Sequence, residues 1–414
     1  MKKNTLIFIP TGLSSPEIEI LVATAQEELD KKKHLVLLVC RGGKNYACSK
    51  NILSIPNICK LCIHKRTKMI NNLKGKYQIF ETPELKNANK YKKFTSFQKL
   101  KNYNFKGMDN GLGAYSSYLD HSRDKDLQGF FADNIIARLI HTTDRLTEFY
   151  SSFLKNKKIN NYFAFNSRMN LQRPLFRLAE KLKIKINNLE STHDGRQAIV
   201  HNFKDSMVND YDKLPKLINK YWNSKNKLNK KNVVEKYYSN VKGFSSHMEN
   251  PSGFLKAQKQ GLLPKVWDKN KFNISFFVSS EDEYESIIKK KDDSIFKNQL
   301  DSIVEISTII ENKKDFAFYI RMHPNLSNVN WSYVKDIVNL KNIYENTKVI
   351  DAQSKISTHT LMQNSDLVVG LKSRTLLEAT YIKKPTIILG NSFWQILGPF
   401  LTITSRAQLK KIIL

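Results

Sequence analysis

The sequence predicts an α/β protein built from two halves that face each other across a cleft. In both halves, short apolar runs that end at Gly or Pro alternate with segments of helical periodicity. Continuous apolar runs of this kind are typical of strands buried on both faces of a parallel sheet. A polar stretch rich in Lys and Asn separates the halves. We therefore expect an N-terminal domain at 1–245, a linker at 246–270 and a C-terminal domain at 271–414.

The N-terminal half begins with a βαβ unit and contains a second unit further along. Pro10 and the Arg41-Gly42-Gly43 turn end its first two strands. The segment 63–106 has weak periodicity and predicts surface helices and loops. The predicted elements of this half are strands at 5–10, 34–40, 161–165 and 184–189, and helices at 16–31, 127–157 and 167–182.

The C-terminal half alternates strand and helix more regularly. Its predicted strands are 272–278, 315–321, 348–351, 366–370 and 385–389, and its predicted helices are 294–312, 357–364 and 373–383.

Length and composition fit this organisation and exclude other classes. At 414 residues, two domains of about 200 residues each are expected. Hydrophobic residues make up 41% of the chain, which is enough to build cores and excludes global disorder. No apolar run has the roughly 18–20 residues of a membrane-spanning helix. The apolar stretch after MKKN is too short for a signal peptide, so we expect a cytoplasmic protein.

The net charge of +30 comes mostly from Lys, because only about a dozen of the 68 basic residues are Arg. One interpretation is a solvated Lys surface. The other is attraction to an anionic partner, either an acidic substrate or the inner face of the cytoplasmic membrane, where the protein would bind peripherally. Base-reading proteins favour Arg, and no basic helix is interleaved with aromatic residues, so we expect no nucleic-acid partner.

All four cysteines lie early in the chain. Cys59 and Cys62 form a CxxC pair that, with Cys48 and His64, resembles the ligand spacing of a zinc site. A structural zinc site uses two paired ligand elements, and here there is one pair. The sequence therefore favours reduced thiols, as in cytosolic proteins, and leaves metal binding open.

In the C-terminal half, polar residues follow several predicted strands. Ligands of parallel sheets bind at the carboxyl ends of strands, beside helix N-termini, so these residues form a candidate nucleotide or phosphate site. We expect Ser373 to cap a helix whose N-terminus binds a phosphate. Glu378 could accept hydrogen bonds from sugar or ribose hydroxyls, and Arg321 and His323 could contact a phosphate leaving group. The candidates are Ser279, Ser280, Arg321, His323, Ser373, Thr375 and Glu378.

In the N-terminal half, Asn166, Arg168, Glu190 and His193 fall at predicted strand ends, and Asp109 lies in a Gly-rich loop. A carboxylate or His there could act as general base toward a hydroxyl group. We take Glu190 as the first choice and His193 and Asp109 as alternatives, with Asn166 and Arg168 on the acceptor side. The competing interpretation is a structural ion pair of Glu190 with an arginine. The sequence shows no DxD-type metal site, so we expect no metal and no other cofactor.

Four segments resemble the bacterial capsule and surface-polysaccharide biosynthesis family. They are SSEDEY at 279–284, RMHPN at 321–325, SDLVVGLKSRTLLEATYIKKPTIILGNSFW at 365–394 and FNSRMNLQRPLFRLAEKLKIKINNLE at 165–190. The family has Asn-Gly-Arg where this chain has Asn166-Ser167-Arg168. The resemblance implies a glycosyltransferase of the GT-B type, with two Rossmann-like domains and the nucleotide-sugar donor on the second.

The same resemblance implies a function in detail. His323 and Ser373 are similar to the residues that hold the nucleotide and phosphate in transferases that use CMP-activated acidic sugars. It implies transfer from a CMP- or UDP-linked donor to a capsular or surface glycan, or to its lipid-linked precursor. The alternatives are a nucleotide-sugar epimerase, a polyol-phosphate transferase on the same scaffold, or a glycan-assembly protein without catalysis.

Overall fold

The structure is a computed structural model of the 414-residue chain. It describes residues 4–86, 92–123, 129–191, 198–201, 214–223, 230–232, 234–235, 238, 257–281, 295–327, 329, 331–390, 392, 395 and 397–414. The chain divides into two compact units. Among the described residues, the first unit comprises those from 4 to 201 and the second those from 214 to 414.

The first unit is a six-stranded sheet with helices packed on it. Its strands are β1 (Asn4–Ile9), β2 (His34–Val39), β3 (Tyr77–Glu81), β4 (Ile159–Phe165), β5 (Lys185–Ser191) and β6 (Ala198–His201). Its helices are α1 (Glu17–Asp30), α2 (Pro56–Ile70), α3 (Phe97–Lys101), α4 (Asn110–Ser122), α5 (Gly129–Asn156) and α6 (Arg173–Lys181). The strand order is β3-β2-β1-β4-β5-β6, and only the β5–β6 pair is antiparallel.

The first strand shows why continuous apolar runs predicted this sheet. Leu6 and Phe8 pack into the core on one face, and Ile7 and Ile9 pack into the core on the other. Because successive side chains of a strand point to opposite faces, a strand covered on both sides must be apolar throughout. The sheet therefore lies between two layers of helix.

The second unit contains a similar sheet. Its strands are β7 (Phe272–Phe277), β8 (Phe316–Arg321), β9 (Thr347–Ile350), β10 (Leu367–Gly370), β11 (Thr386–Ile388) and β12 (Leu401–Thr402). Its helices are α7 (Leu214–Trp222), α8 (Gln299–Ile310), α9 (Ser332–Ile343), α10 (Thr358–Asn364), α11 (Thr375–Tyr381) and α12 (Arg406–Ile413). All neighbouring strands are parallel, in the order β12-β11-β10-β7-β8-β9.

The predicted α/β class with two Rossmann-like domains is confirmed by these two sheets. Every predicted strand and helix is present, with ends that differ by a few residues. The prediction of only helices and loops at 63–106 is wrong, because β3 lies there as an edge strand. Ile79 of β3 is 51% exposed, so this strand lacks the apolar run that marks its buried neighbours.

The boundary between the units falls at 210/211, outside the described residues. The predicted linker at 246–270 is described only from residue 257, so the three predicted domain ranges and the cleft stay predictions. Among the described helices, none is both long enough and apolar enough to cross a membrane.

Candidate functional site

In the first unit, a pocket of about 140 Å³ opens at the carboxyl ends of β1 and β4. These two strands are neighbours at the centre of the sheet, and the chain proceeds from them toward opposite edges. This is the topological switch point, where open parallel sheets form a ligand crevice. The pocket is lined by Pro10, Thr11, Ser14, Glu17, Cys48, Ser49, Lys50, Asp120, Phe165, Asn166, Arg168, Met169, Asn170, Leu171 and Gln172.

Glu17 is the carboxylate of this pocket that differs most from an ordinary surface acid. It is the first residue of α1 and only 7% exposed. The side-chain amide of Gln172 donates a hydrogen bond to it, with 3.1 Å between Nε2 and Oε1. Burial raises the pKa of Glu17 to about 7, although hydrogen bonds from Ser14 and Gln172 oppose the shift. A carboxylate with this pKa can accept a proton near neutral pH.

The sequence analysis did not select Glu17. The sequence feature that could have indicated Glu17 is its position directly after Pro16, at the start of the helix that follows the first strand. An acidic residue in a first helical turn is common, however, because the helix dipole favours it there. Only its burial separates Glu17 from Glu19, which is exposed on the same helix.

A bridged set of charges lies on the same pocket. Asp120 of α4 pairs with Lys50 at 3.2 Å, Oδ2 to Nζ, and with Arg168 at 3.6 Å, Oδ1 to Nη2. Lys50 comes from the segment between β2 and α2, and Arg168 follows β4. The pocket therefore presents two cations that share one carboxylate, beside Glu17. Arg168 and Asn166 were predicted from the sequence, whereas Lys50 and Asp120 were not.

The turn after β4 has unusual backbone geometry. Asn166 and Ser167 have φ angles of 52° and 37°, in the left-handed region that favours glycine. Ser167 is buried, and its hydroxyl has no hydrogen-bond partner among the described residues. Two consecutive left-handed residues place the Arg168 side chain on the pocket, and the conformation costs about 1–2 kcal/mol per non-glycine residue.

Glu190 lies beside the pocket, near the end of β5. Asn166 donates from Nδ2 to its Oε2 at 3.4 Å, and the Ser191 backbone donates to its Oε1 at 3.2 Å. Burial raises the pKa of Glu190, while the charge of Arg168 opposes the rise. Glu190 thus remains a candidate base, in contact with Asn166 of the pocket wall. His193 lies outside the described residues.

Asp109 occupies a different environment from the one predicted. Both of its oxygens bind Arg173, at 2.9 Å to Nε and 2.6 Å to Nη2, and Arg177 is 3.2 Å away. Arg173 is only 1% exposed. A bidentate pair with a buried guanidinium is a structural arrangement. Both carboxylate oxygens of Asp109 are already bound to arginine. We therefore expect Asp109 to stabilise the fold at the N-terminal end of α4.

In the second unit, β7 and β10 are the central neighbours, and polar residues follow both strands. Ser279, Ser280 and Glu281 after β7 are all buried. Gln299 of α8 holds this segment: its Oε1 accepts from the Ser279 backbone at 2.6 Å, and its Nε2 donates to the Ser279 carbonyl at 3.0 Å. The Ser279 hydroxyl is buried without a hydrogen-bond partner among the described residues.

Arg321 and His323 follow β8, and their contacts within the chain are largely structural. Arg321 is 2% exposed, and its guanidinium donates to the carbonyls of Asp351 and Ser354. Burial lowers the pKa of Arg321 to about 10. His323 accepts a hydrogen bond from the Asn325 backbone at Nδ1, 3.1 Å, and so caps the short 3-10 turn Pro324–Leu326.

The segment after β10 carries Ser373, Thr375 and Glu378. The Ser373 hydroxyl accepts from the Thr375 backbone at 3.3 Å. Glu378 is 8% exposed and lies between His359 of α10, 3.2 Å from Nε2 to Oε2, and Arg374, 3.5 Å from Nε to Oε1. The sequence analysis missed His359 because it lies within a helix rather than at a strand end.

The structure assembles the predicted residues into two groups, one in each unit. Asn166, Arg168 and Glu190 lie together at the first sheet, and the candidates of the C-terminal half follow β7, β8 and β10 of the second sheet. Within the described residues, no three His, Cys, Asp or Glu side chains are grouped so that they could hold a metal ion. The expectation of metal-independent chemistry stays a prediction.

No family model matches the chain, and no curated protein matches it. Several solved structures do. Thermosulfurimonas dismutans KpsC, a beta Kdo 2,4 transferase, matches at 12% identity over 61% of this chain and 75% of its own, with a TM-score of 0.39. A glycosyltransferase from Rickettsia africae matches at 11% identity over 100% and 87%, with a TM-score of 0.31.

A third match is the UDP-GlcNAc 2-epimerase from Neisseria meningitidis bound to UDP-GlcNAc, at 12% identity over 94% of this chain and 82% of its own, with a TM-score of 0.25. Likeness at these levels carries no argument about activity.

Proposed function

We propose that the protein is a glycosyltransferase that moves a sugar from a CMP- or UDP-linked donor to a surface or capsular glycan, or to its precursor. The observation that carries the proposal is Glu17, a buried carboxyl with a pKa of about 7 in the pocket at the switch point of the first sheet. A group poised near neutral pH at a ligand crevice is the requirement for a general base.

The proposed step needs one proton acceptor and one leaving group. The acceptor hydroxyl loses its proton to Glu17 as its oxygen forms a bond to the anomeric carbon, and the bond from that carbon to the donor phosphate breaks. Lys50 and Arg168, now bridged by Asp120, would hold the acceptor in the pocket by hydrogen bonds to its hydroxyl or acidic groups. Glu190 is the alternative base.

On the second unit, we propose that the donor phosphate or nucleotide is contacted by Ser279, Ser280, His323, Ser373 and Thr375. The unpartnered, buried Ser279 hydroxyl supports this assignment, because buried hydroxyls are normally hydrogen-bonded. Glu378, oriented by His359, would accept hydrogen bonds from sugar or ribose hydroxyls. Arg321 would act by fixing the loop that follows β9 rather than by direct contact.

Nucleotide binding is the first test. Thermal unfolding is followed with CMP, UDP and GDP, since a ligand at a hundred times its dissociation constant adds about 2.7 kcal/mol to the folded state. We expect CMP or UDP to raise the melting temperature, and His323→Ala and Ser373→Ala to reduce that rise. Ser405→Ala is the control, because the Ser405 hydroxyl also accepts a hydrogen bond from a backbone N–H at the start of a helix and Ser405 is not among the candidate residues. If no nucleotide stabilises the protein, the non-catalytic alternative replaces this proposal.

Turnover is the second test. Glu17→Gln is expected to bind nucleotide normally and to lose transfer to a glycan acceptor. Glu190→Gln is compared in the same assay. If only that variant loses transfer, Glu190 and not Glu17 is the general base. Incubation with the donor but without acceptor separates the epimerase alternative, because an epimerase changes the donor sugar under these conditions and a transferase does not.

A further inference from the structure

All four cysteines of the chain line one small cavity of about 20 Å³ in the first unit. Cys40 follows β2, Cys48 lies in the segment that leads to α2, and Cys59 and Cys62 are one turn apart on α2. All four are free thiols. The cavity is outside the proposed catalytic pocket but shares Pro10, Cys48 and Lys50 with its wall.

The four sulfurs fall into two chemically different pairs. Burial raises the pKa of Cys40 and of Cys48 to about 12, so both remain protonated and unreactive. Cys59 and Cys62 are half-buried, as is Cys48, and lie on the face of α2 that lines the cavity. Reactive cysteines are typically partly exposed and surrounded by hydrogen-bond donors or cations.

Hydrogen-bond donors point at the second pair. The Gly12 backbone N–H donates to Cys62 Sγ at 3.1 Å, and the Thr11 hydroxyl lies 3.5 Å from the same sulfur. Asn51 donates from Nδ2 to Cys59 Sγ, also at 3.1 Å. Each sulfur of this pair therefore accepts a hydrogen bond from a segment outside α2.

A buried cation lies next to the pair. Arg66 is one turn after Cys62 on α2, is 2% exposed, and donates to the Cys40 carbonyl. Its Nε has no hydrogen-bond partner among the described residues, and it forms no ion pair with any described carboxylate. Arg66 therefore brings a buried positive charge to the cavity that Cys62 also lines.

We propose that Cys59 and Cys62 form a redox-active dithiol that closes to a disulfide by exchange with a low-molecular-weight disulfide. The Cys62 thiolate attacks one sulfur of the small disulfide, forms a mixed disulfide and releases one small thiolate. Cys59 then loses its proton to solvent, and its sulfur attacks Cys62 Sγ and releases the second thiolate. Both released thiolates take up protons, so the protein is oxidised by two electrons and the small disulfide is reduced to two thiols.

Closure must move the helix. Side chains three residues apart on a helix have Cβ atoms about 5–6 Å apart, whereas a disulfide needs about 3.5–4.5 Å. The first turns of α2 therefore shift, and Cys62 gives up its contact with Gly12. A Cβ placed on Gly12 would lie 2.3 Å from the Cys62 carbonyl and 2.7 Å from the Arg66 amide, so the β1–α1 loop rests directly on α2.

The shift would therefore reach the neighbouring pocket. The β1–α1 loop runs from Thr11 past Ser14 to Glu17, so a disulfide on α2 would disturb the position of the proposed base. This consequence rests on the proposed function. The dithiol chemistry itself does not.

The full chain is incubated in glutathione buffers that range from fully reduced to fully oxidised, and remaining thiols are alkylated and mapped by mass spectrometry. We expect alkylation to be lost at Cys59 and Cys62 together, a Cys59–Cys62 disulfide in the digest, and full reversal by dithiothreitol. Cys40 and Cys48 should alkylate only after unfolding. Unchanged alkylation of both helix cysteines in oxidised glutathione, or a disulfide that joins another pair, overturns the proposal.

Variants separate the two sulfurs. Cys59→Ser should trap a stable mixed disulfide with glutathione at Cys62. Cys62→Ser should react at Cys59 about tenfold more slowly, since attack depends on thiolate character and access. Cys48→Ser is the matched control and should close like the wild type. Equal rates at both sulfurs overturn the assignment of Cys62 as the attacking group.

A measurement on the wild-type protein avoids dependence on how the variants fold. Amide hydrogen exchange of the segment 10–16 is compared before and after oxidation. We expect faster exchange at Gly12 once its hydrogen bond to Cys62 is lost. Closure of the disulfide with unchanged exchange at Gly12 would keep the dithiol but overturn its coupling to the pocket. Glycosyl transfer is tested separately, in the turnover assays above.

Discussion

Gln172 donates a hydrogen bond to Glu17 across 155 positions of sequence, with 3.1 Å between Nε2 and Oε1. Gln172 is the residue that precedes α6, and Glu17 is the first residue of α1. Both side chains are buried, at 7% exposure each. The contact links the segments that follow β1 and β4, the two central strands, and it fixes the orientation of the carboxyl group in the pocket.

Glu17→Gln should change stability in a pH-dependent direction. The folded-state pKa of Glu17, about 7, is higher than its ordinary value of 4.5. Between these values the folded protein keeps a proton that the unfolded chain has released, so stability falls as pH rises through this window. Above pH 7 the buried charge costs about 3 kcal/mol.

We therefore expect Glu17→Gln to be more stable than wild type at pH 8, with a smaller advantage at pH 5, as measured by urea unfolding. Glu19→Gln, an exposed change on the same helix, should differ from wild type by the same amount at the two pH values. A difference between Glu17→Gln and wild type that is the same at pH 5 and pH 8 would contradict the burial of the Glu17 charge.

Asp109→Asn should destabilise the first unit strongly. The change leaves the buried Arg173 without its bidentate partner, and removal of one member of a buried ion pair typically costs about 3–5 kcal/mol. Denaturant unfolding measures the loss. Glu148→Gln is the control, because its pairs with Lys106 and Arg145 are exposed and worth at most about 1 kcal/mol. A loss for Asp109→Asn no larger than for the control would contradict the structural assignment.

His359 and Glu378 should act as one unit in nucleotide binding. Because Glu378 Oε2 lies 3.2 Å from His359 Nε2, removal of either side chain removes this contact from the other. We expect His359→Ala and Glu378→Gln each to weaken binding of the stabilising nucleotide about tenfold, which corresponds to about 1.4 kcal/mol.

The double variant should be little worse than either single one, since contacting residues are not additive. Calorimetric titration of the three variants gives the coupling. Full additivity would show that His359 does not position Glu378.

Ser167→Gly should stabilise the first unit. Glycine removes the strain of the left-handed φ of 37°, which is worth about 1–2 kcal/mol in the folded state. Glycine also raises the conformational entropy of the unfolded chain, which lowers the free energy of unfolding by about 0.4–1 kcal/mol. The net gain is up to about 1 kcal/mol in thermal or urea unfolding. Ser327→Gly, at an ordinary φ of −58°, should instead destabilise the protein slightly. A loss of stability in Ser167→Gly would mean that this hydroxyl has a partner that outweighs the strain.

The sequence by itself determined the central parallel strands of both sheets, because strands covered on two faces must be apolar along their whole length. Ile7 and Leu6 show this by packing on opposite faces of the same strand. The sequence also located the strand ends that carry Arg168, Glu190 and Ser373, since Gly, Pro and polar residues mark where buried strands stop.

Only the tertiary structure decided which of these residues share a site and what their chemistry is. In the folded chain, Gln172 donates a hydrogen bond to Glu17, Asp109 forms an ion pair with Arg173, and His359 contacts Glu378. These facts depend on desolvation and on contacts between distant segments, which a local pattern does not contain. For the same physical reason, Cys48, Cys59 and Cys62, whose spacing resembled part of a zinc site, line one cavity together with Cys40, and hydrogen-bond donors from other segments contact Cys59 and Cys62.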